Sequence, residues 1–208
     1  MDEATPVDAG SDPAAGARHA VIETTLGLLT VVVRPGVDGE DAVAAIYFPG
    51  HWTKPQIESF GTLADPAEPI FATVRTQFDE YCAGERTEFD LQLALQGSEF
   101  EQTVWQILTK IDYGSTTSYG AIAERLGNKG LAQRVGQAVG HNPVSVIVPC
   151  HRVVGSDGRL TGYAGGTDRK RWLLELEGTL GAGPGAGDQD SLFHGAVPAV
   201  PEGGFEQR

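Results

Sequence analysis

The sequence predicts an α/β N-terminal domain followed by a mainly α C-terminal domain with a helix-turn-helix. Three observations predict this arrangement. Strand patterns and one helical period fill residues 18–97, short helical patterns make up most of residues 98–178, and a tight turn with two glycines joins two of the short helices. Alternation with a period of two is typical of strands, and a spacing of three to four is typical of helices. Residues 1–17 and 179–208 carry no apolar period and are predicted to be a disordered leader and a flexible tail.

Composition and charge limit the classes of function. The chain has 208 residues, of which 40% are hydrophobic, enough for a packed core in one or two domains. The net charge is −13; residues 1–90 have a net −11 and residues 91–180 a net +1. Such a charge argues against non-specific coating of nucleic acid. We expect any anionic partner to approach residues 91–180, while the acidic first half serves solubility.

The sequence shows no sign of membrane insertion or secretion. No apolar run approaches the ~20 residues that a membrane helix needs, and the acidic N-terminus lacks the basic and apolar regions of a signal peptide. Two cysteines, Cys82 and Cys150, cannot make a disulfide framework. We therefore expect a cytoplasmic protein with reduced thiols and no membrane partner.

The elements of the first domain follow from its apolar patterns. Residues 20–34 predict two short strands around a turn at Gly27, and residues 44–48 predict a third strand. Apolar side chains at every fourth position predict a helix over residues 67–83. Residues 84–97 alternate apolar and polar side chains, which predicts a strand. None of these segments contains a motif that carries chemistry.

The second domain begins with a helix start. Ser98 and Glu101 have the spacing of a capping box, which satisfies two backbone N–H groups at the first turn. Short helices are predicted over about residues 119–125 and 131–139, and a turn at residues 127–130 joins them. Such a pair of helices is a helix-turn-helix candidate, but on its own it is a weak indication of DNA binding.

Three further elements complete this domain. Residues 144–150 form an apolar, strand-like run. Residues 151–163 predict a hairpin that turns at residues 156–158. A last helix is predicted over residues 168–177, with Thr167 as its N-cap.

The segment Pro149-Cys150-His151-Arg152 carries the most reactive side chains. A cysteine at the end of an apolar run is usually an inert packing residue. A thiol becomes a nucleophile when a base or a positive charge stabilises its thiolate, and the next two residues offer both. Because neighbouring side chains on a strand point to opposite faces, His151 reaches the Cys150 sulfur only through a kink or a bridging water. The residues alone leave both interpretations open.

Residues 142–153, NPVSVIVPCHRV, resemble the active-site segment of the O6-alkylguanine-DNA alkyltransferases, the methylated-DNA–protein-cysteine methyltransferase family. Four more segments resemble this family: SYGAIAERLG at 118–127, RVGQAVGHNP at 134–143, GRLTGYAGG at 158–166 and WLLELEG at 172–178. A long segment with ordered flanking motifs is a specific match, and it covers about residues 97–178. The first half matches only in its general pattern. The resemblance implies a ribonuclease H-like N-terminal domain and a winged-helix-like C-terminal domain.

The resemblance implies a nucleophile, a base and an orienting carboxylate. Cys150 aligns with the nucleophile that takes the alkyl group, His151 with the base that deprotonates it through a water, and Glu177 with the carboxylate that orients this histidine. Asn142 aligns with an asparagine that braces the turn before the active-site segment. Tyr119 aligns with a tyrosine that donates a proton or a hydrogen bond to guanine N3, which makes the base a better leaving group.

Further aligned residues bind the base or support the site. Val153 aligns with the wall of the base pocket. The segment Tyr163-Ala164-Gly165 aligns with the same wall and with its backbone hydrogen bonds to the base. Arg152 aligns with a structural residue that ties the active-site segment to the neighbouring helix.

The resemblance also implies a DNA-binding surface. In this family the second helix of the helix-turn-helix enters the minor groove, unlike most such motifs, which bind the major groove. Ala132 and Gly136 are small enough to let this helix approach the DNA backbone closely. Lys129 and Arg134 are the phosphate partners that this segment offers, and Ser118 belongs to the same surface.

One position departs from the family. Gln133 stands where the family usually has an arginine that fills the space left by the flipped base, and the arginine of this chain follows at Arg134. One residue along a helix rotates a side chain by about 100°. Either Gln133 enters the DNA, or Arg134 reaches round, or base flipping is weaker. We favour the first as a hypothesis.

The implied activity is direct reversal of DNA alkylation damage. The family transfers the alkyl group of O6-alkylguanine, and more weakly of O4-alkylthymine, irreversibly to its cysteine, so each molecule acts once. The target nucleotide is flipped out of the duplex. The resemblance implies double-stranded DNA as partner, no cofactor, and a monomer in solution; cooperative binding along DNA stays open. No metal is expected, since His19, His51 and Cys82 lack the paired spacing of a zinc site.

Two other functions compete with this one. Damage-binding alkyltransferase-like proteins have the same fold without the nucleophilic cysteine, so Cys150 with His151 and Glu177 argues against them. A thiol redox sensor or a cysteine hydrolase would use Cys150 and His151 but would leave the helix-turn-helix and Tyr119 without a role. Transfer of label from O6-methylguanine in duplex DNA to Cys150 separates the three.

Overall fold

The structure, a computed structural model, describes residues 16–51 and 55–180 of the chain. Most of the predicted leader and all but two residues of the predicted tail lie outside the described residues. Ala17, the last residue of that leader, is buried, and its carbonyl accepts a hydrogen bond from the Thr62 N–H at 3.1 Å.

A four-stranded sheet forms the first half, in the order β3-β2-β1-β4. Its strands are β1 (Arg18–Thr24), β2 (Gly27–Pro35), β3 (Asp41–Tyr47) and β4 (Thr62–Leu63). The first three are antiparallel neighbours, and β4 runs parallel to β1. The turn between β1 and β2 lies at residues 25–26, not at Gly27 as predicted: Gly27 pairs with Thr24 and already belongs to β2.

Burial explains the apolar patterns of these strands. β1 alternates between buried and exposed side chains towards its end, whereas the interiors of β2 and β3 are buried on both faces and read as continuous apolar runs. Helix α1 (Pro69–Cys82) packs against β1, and the helix predicted over residues 67–83 is confirmed. Pro69 stands in the first turn, where its missing N–H costs no helical hydrogen bond.

The strand predicted over residues 84–97 is wrong. This segment is extended, but it makes a single bridge, from Leu93 to Val43 of β3. The Val43 N–H donates to the Gln92 carbonyl at 2.8 Å, and the Ala94 N–H donates to the Val43 carbonyl at 3.0 Å. The alternation in the sequence arises because Leu91, Leu93 and Leu95 pack half-buried against the core while the segment passes from one half to the other.

Helices dominate the second half. They are α2 (Glu99–Leu108), α3 (Tyr119–Arg125), α4 (Ala132–Gly140) and α5 (Thr167–Leu176). The capping box of Ser98 and Glu101 at the start of α2 is confirmed. The helix-turn-helix is formed by α3 and α4: α3 is followed by Gly127 with a φ of 84°, and a short 3-10 helix (Lys129–Leu131) leads into α4.

The strand predicted over residues 144–150 is also wrong. Val146 has a positive φ of 76°, which breaks any extended run. Isolated bridges hold the segment instead, from Val144 to Ile46 of β3 and from Ser145 to Val148. Cys150 therefore opens a one-turn 3-10 helix (Cys150–Arg152) rather than ending a strand.

Two details after the 3-10 helix also differ from expectation. The predicted hairpin is absent, because β6 (Val153–Val154) pairs in parallel with β5 (Thr117–Ser118), although a tight turn does lie at residues 156–158. The N-cap of α5 is Gly166, with a φ of 92°, and Thr167 is the first helical residue, without a capping hydrogen bond.

One core joins the two halves. The larger of two clusters of buried side chains among the described residues extends from the sheet and α1 through α2 and α4 to Cys150 and α5. The Trp105 indole of α2 donates to the Ala138 carbonyl of α4 at 2.8 Å and so fixes the recognition half of the helix-turn-helix on this core. Within the described ranges, no helix is long and apolar enough to cross a bilayer.

Candidate active site

Cys150 is held in place by the side chain of Asn142. The Asn142 Nδ2 donates to the Cys150 Sγ at 3.0 Å and to the Val148 carbonyl at 2.7 Å, and its Oδ1 accepts from the Val144 N–H at 3.1 Å. Asn142 thereby closes the loop that carries the positive φ of Val146 and brings an amide N–H onto the sulfur. Such a donor stabilises a thiolate more than a thiol.

The electrostatics around the sulfur are mixed. Burial raises the pKa of the Cys150 thiol, and the Asn142 hydrogen bond and the positive charge of Lys170 act in the opposite direction. The Lys170 ammonium is fully buried and donates to the Val153 carbonyl at 2.6 Å and to the Thr161 carbonyl at 3.1 Å. Burial lowers the pKa of Lys170 to about 8.

His151 and Glu177 form a buried pair behind Cys150. The His151 Nε2 lies 2.7 Å from the Glu177 Oε1, and both side chains are fully buried. The Glu177 carboxylate also accepts from Arg152, through Nε at 2.9 Å and Nη2 at 3.1 Å, from the Gly114 N–H at 3.4 Å and from the Tyr81 hydroxyl. These donors compensate a carboxylate placed at the C-cap of α5, where the helix dipole disfavours negative charge.

The protonation states of this pair follow from these contacts. Burial opposes the charge of Glu177, but the hydrogen bonds and charges of His151 and Arg152 outweigh it and hold the pKa of Glu177 at about 2. Burial lowers the pKa of His151, against the influence of Glu177. A neutral His151 facing an ionised carboxylate carries its proton on Nε2. Its Nδ1 is buried and has no hydrogen-bond partner among the described residues, so its lone pair is available.

An open pocket of about 570 Å³ lies between the helix-turn-helix and the segment before α5. Its lining residues are Tyr119, Ala132, Gln133, Gly136, Gly140, Thr161, Gly162, Tyr163 and Ala164. Six of the predicted site residues are therefore brought together here. Cys150 is not one of these lining residues, but burial and, after it, the electrostatic influence of Cys150 raise the pKa of two that are, Tyr119 and Tyr163.

Tyr119 stands at the first turn of α3 and faces the pocket. Its hydroxyl accepts a hydrogen bond from the Thr161 Oγ1 at 3.0 Å. Burial raises the pKa of Tyr119, so its phenol remains protonated and able to donate. A Cβ on Gly136 would lie 3.7 Å from the Tyr119 ring, so any larger side chain at this position of α4 would narrow the pocket.

The remaining predicted DNA contacts lie around the helix-turn-helix. Ser118 caps α3, with its hydroxyl accepting from the Ala121 N–H at 3.1 Å. Lys129 is exposed and lies 3.0 Å from the Glu124 carboxylate. The Arg134 guanidinium stacks on the Phe100 ring of α2, 3.9 Å from its centroid, whereas Gln133 lines the pocket.

The pocket wall contacts the first half of the chain. A Cβ on Gly165 would approach the rings of both Phe48 and Tyr163 to 2.8 Å, so only glycine fits between them. Arg169 of α5 supports the same wall. Its guanidinium stacks on the Phe48 ring, 3.9 Å from the ring centroid, and donates to the Gly165 carbonyl. Val153 is fully buried beneath the site.

Four residues that contact the site carry no functional signal in the sequence. These are Tyr81, Gly114, Thr161 and Lys170. Tyr81 lies 96 positions before its partner Glu177, and no motif connects the two. Lys170 is one of several cations near α5, and nothing in the sequence distinguishes it as buried. Among the described residues, no group of three or more histidine, cysteine or acidic side chains could hold a metal ion.

A helix-turn-helix, an adjoining pocket and a buried cysteine with a histidine–glutamate pair define a class of proteins that bind nucleic acid and react through a thiol. The family model described as "6-O-methylguanine DNA methyltransferase, DNA binding domain" matches residues 99–179. A methylated-DNA–protein-cysteine methyltransferase of Mycolicibacterium paratuberculosis is 45% identical over 162 residues, which cover 76% of this chain and 91% of the relative. A methylated-DNA–protein-cysteine methyltransferase of Methanosarcina acetivorans is 48% identical over 112 residues, which cover 54% of this chain and 72% of the relative.

A solved structure agrees with these relatives. The crystal structure of Mycobacterium tuberculosis OGT in complex with DNA superposes with a TM-score of 0.65 at 42% identity, covering 77% of this chain and 92% of that chain. The mixed α/β fold class predicted from the sequence is confirmed at this level. The chain belongs to the methylated-DNA–protein-cysteine methyltransferase family.

Proposed function

We propose that this protein repairs alkylated DNA by direct reversal, moving the alkyl group of O6-alkylguanine onto the Cys150 sulfur. One observation carries the proposal: a buried cysteine has an amide donor on its sulfur, is followed by the histidine of a His–Glu pair, and interacts electrostatically with two tyrosines that line a pocket at the helix-turn-helix. The family membership supports the same reaction. No cofactor enters this reaction, because the protein itself is the acceptor.

The proposed chemistry begins with the proton of Cys150. His151 accepts it through a water on Nδ1, while Glu177 holds the Nε2 proton and stabilises the imidazolium that forms. The Asn142 amide stabilises the thiolate. The thiolate attacks the alkyl carbon, the carbon–oxygen bond breaks, and its electron pair stays on the guanine. Tyr119 donates to guanine N3, so the base leaves without a full negative charge.

The acceptor is consumed in this reaction. A thioether is stable in water, and we infer a single turnover per chain. O4-alkylthymine is the second substrate that we propose, with a slower reaction. Both substrates must leave the base stack to reach the pocket, at a cost of roughly a few kcal/mol.

For DNA binding we propose that α4 lies in the minor groove of a duplex. Ala132 and Gly136 keep that face of α4 small, Lys129 and Ser118 face the backbone, and Gln133 fills the space left by the flipped base. The stacking of Arg134 on Phe100 supports Gln133 over Arg134 for this role.

We further propose a monomer that works in the cytoplasm, with a ribonuclease H-like domain over residues 18–97 and a winged-helix-like domain over residues 98–178.

The decisive experiment uses duplex DNA with a labelled O6-methyl group. We expect label on Cys150 at no more than one per chain, and none on a Cys150→Ser variant. A Cys82→Ser variant is the matched control, since Cys82 is equally buried but lies on α1, and it should accept label as the parent does. Tight binding without transfer would support a damage-binding protein, and neither binding nor transfer would support a redox sensor or hydrolase. Repair by Cys150→Ser at the parent rate would overturn the proposal.

A further inference from the structure

Tyr81 connects the first half of the chain to the reactive pair. It lies on the last turn of α1, and its side chain is fully buried. Its hydroxyl donates to the Glu177 Oε1, the same oxygen that faces the His151 Nε2. A buried phenol without a partner would be costly, and this phenol has a carboxylate as its acceptor. The first half therefore supplies one donor to a pair that otherwise belongs to the second half.

We propose that Tyr81 is a positioning residue for alkyl transfer: its phenol holds the Glu177 carboxylate against His151 and keeps that histidine neutral, ready to accept the proton of Cys150. The inference rests on the proposed function for its role in transfer. It also predicts how the alkylation of Cys150 depends on pH, which a reaction without DNA can test.

The geometry gives the phenol two effects on the Glu177 carboxylate. First, it adds a donor from α1 to the oxygen that faces His151, which restricts rotation of the carboxylate. Second, it shares the negative charge of that oxygen. A carboxylate with fewer donors is a stronger base and favours a proton on its partner. Removing the hydroxyl would therefore raise the pKa of His151 from its lowered value.

The titratable and charged groups that face the pair come from several elements. They are Tyr81 from α1, Tyr113 from the loop before β5, His151 and Arg152 from the 3-10 helix, Tyr163 from the pocket wall, and Lys170 from α5. Arg152 is the cation in direct contact with Glu177, through two hydrogen bonds of its own that do not pass through the phenol. The expected change is consequently a shift in pH dependence rather than a loss of the whole pair.

The chain offers a matched control for Tyr81. Tyr113 contacts the Tyr81 ring edge-on with centroids 5.9 Å apart, and its hydroxyl donates to the Leu176 carbonyl at 3.2 Å instead of to the carboxylate. Tyr81→Phe and Tyr113→Phe each remove one hydroxyl from the same aromatic cluster. Both variants keep the aromatic ring. In Tyr81→Phe the ring still packs on Phe89, since the two ring centroids lie 5.1 Å apart in the parent. Only the first removes a donor from Glu177.

The test measures single-turnover methyl transfer from O6-methylguanine in a duplex between pH 5 and 9. For Tyr81→Phe we expect a rate about tenfold lower near pH 6, an acidic limb moved to higher pH, and unchanged affinity for undamaged duplex. Tyr113→Phe should follow the parent. A parallel experiment measures the alkylation of Cys150 by iodoacetamide without DNA, which should show the same displacement of the acidic limb in Tyr81→Phe.

The outcomes separate the two proposals. If the parent transfers no methyl group, the proposed function fails, while the iodoacetamide profile still tests Tyr81. If Tyr81→Phe keeps the parent's pH profile in both reactions, or if Tyr113→Phe moves it as far, Tyr81 has no positioning role. Should Tyr81→Phe fold poorly, 3-fluorotyrosine placed at position 81 keeps the hydroxyl as a stronger donor. Its acidic limb should move to lower pH, and an unchanged profile would overturn the inference.

Discussion

Glu177 lies at the centre of a buried group of polar and charged side chains. Its carboxylate accepts hydrogen bonds from His151, Arg152 and Tyr81, which come from two distant parts of the chain. The position is unfavourable by itself, at the C-terminal end of α5 and away from water. The carboxylate is ionised there only because its donors are in place, so the catalytic pair and the fold depend on the same interactions.

Acid should therefore unfold the protein partly through Glu177. Its pKa is lowered from 4.5 to about 2, so the stability it contributes is complete above about pH 4.5 and is lost as the pH falls towards 2. The size of this contribution is about 3 kcal/mol. Urea unfolding at pH 7, 4.5 and 3 should show a steep decline for the parent. Glu177→Gln should be less stable at pH 7 and should lack this part of the decline, whereas Glu175→Gln, on the exposed face of α5, should decline like the parent.

A second prediction at this scale concerns Gly165. A methyl group there would approach the rings of Phe48 and Tyr163 to 2.8 Å, and both rings are packed in the core. We expect Gly165→Ala to lower the free energy of unfolding by about 1–3 kcal/mol and to slow transfer by displacing the pocket wall. Gly162→Ala is the control, because a Cβ there meets nothing within 4 Å. Equal stability of the two variants in urea would contradict the close packing of this wall.

Residues of the site were predictable where the motif is continuous. Asn142, Cys150 and His151 lie within one segment, and the structure brings Asn142 onto the Cys150 sulfur. Tyr81 was not predictable, because a phenol on the apolar face of a helix reads as a core aromatic until its acceptor, far along the chain, is known. Lys170 was missed for a related reason: its burial depends on two carbonyls that only the folded chain brings together.

At the scale of elements, the errors in prediction have a common cause. Residues 84–97 and 144–150 have the apolar patterns of strands, yet each makes only isolated bridges. A strand needs a partner along its length, and each of these segments meets β3 at a single point. Helices were predicted more closely, since α1, α3 and α4 close their hydrogen bonds within their own segments. The positive φ of Val146 had no signal in the sequence.

The element with the clearest functional test is α4. Gln133 faces the pocket and Arg134 stacks on Phe100, so the two side chains should respond differently to truncation. We expect Gln133→Ala to reduce the repair rate about tenfold, equivalent to about 1.4 kcal/mol, and Arg134→Ala to repair within about twofold of the parent. Single-turnover repair of O6-methylguanine in duplex DNA measures both. If Arg134→Ala slows repair more than Gln133→Ala does, Arg134 is the residue that fills the space left by the flipped base. If a Gln133→Arg variant repairs no better than the parent, glutamine at this position causes no impairment.

At the scale of the whole molecule, the two halves share a buried cluster but differ in charge. The buried cluster continues from the sheet into the helices, so Phe48 and Tyr81 of the acidic half support the pocket and the carboxylate of the other half. The sequence predicted two domains from their different periodicities, but periodicity reports only which face of an element is buried. It does not report which partner buries it, and for this reason the contribution of the first half to the site became visible only in the structure.

The charge distribution predicts how DNA affinity depends on salt. The chain has a net charge of −13, and residues 91–180 have a net +1. Lys129 is exposed, and its exposed partner Glu124 holds it weakly, so it can exchange that carboxylate for a phosphate. With so few cations on this surface, log K against log salt should have a slope of only about −2 to −4 for undamaged duplex. Lys129→Gln should reduce the magnitude of that slope by about one, whereas Arg86→Gln in the acidic half should leave it unchanged. A slope as steep as −8, or equal effects of both variants, would mean that the protein binds DNA through a surface other than the helix-turn-helix.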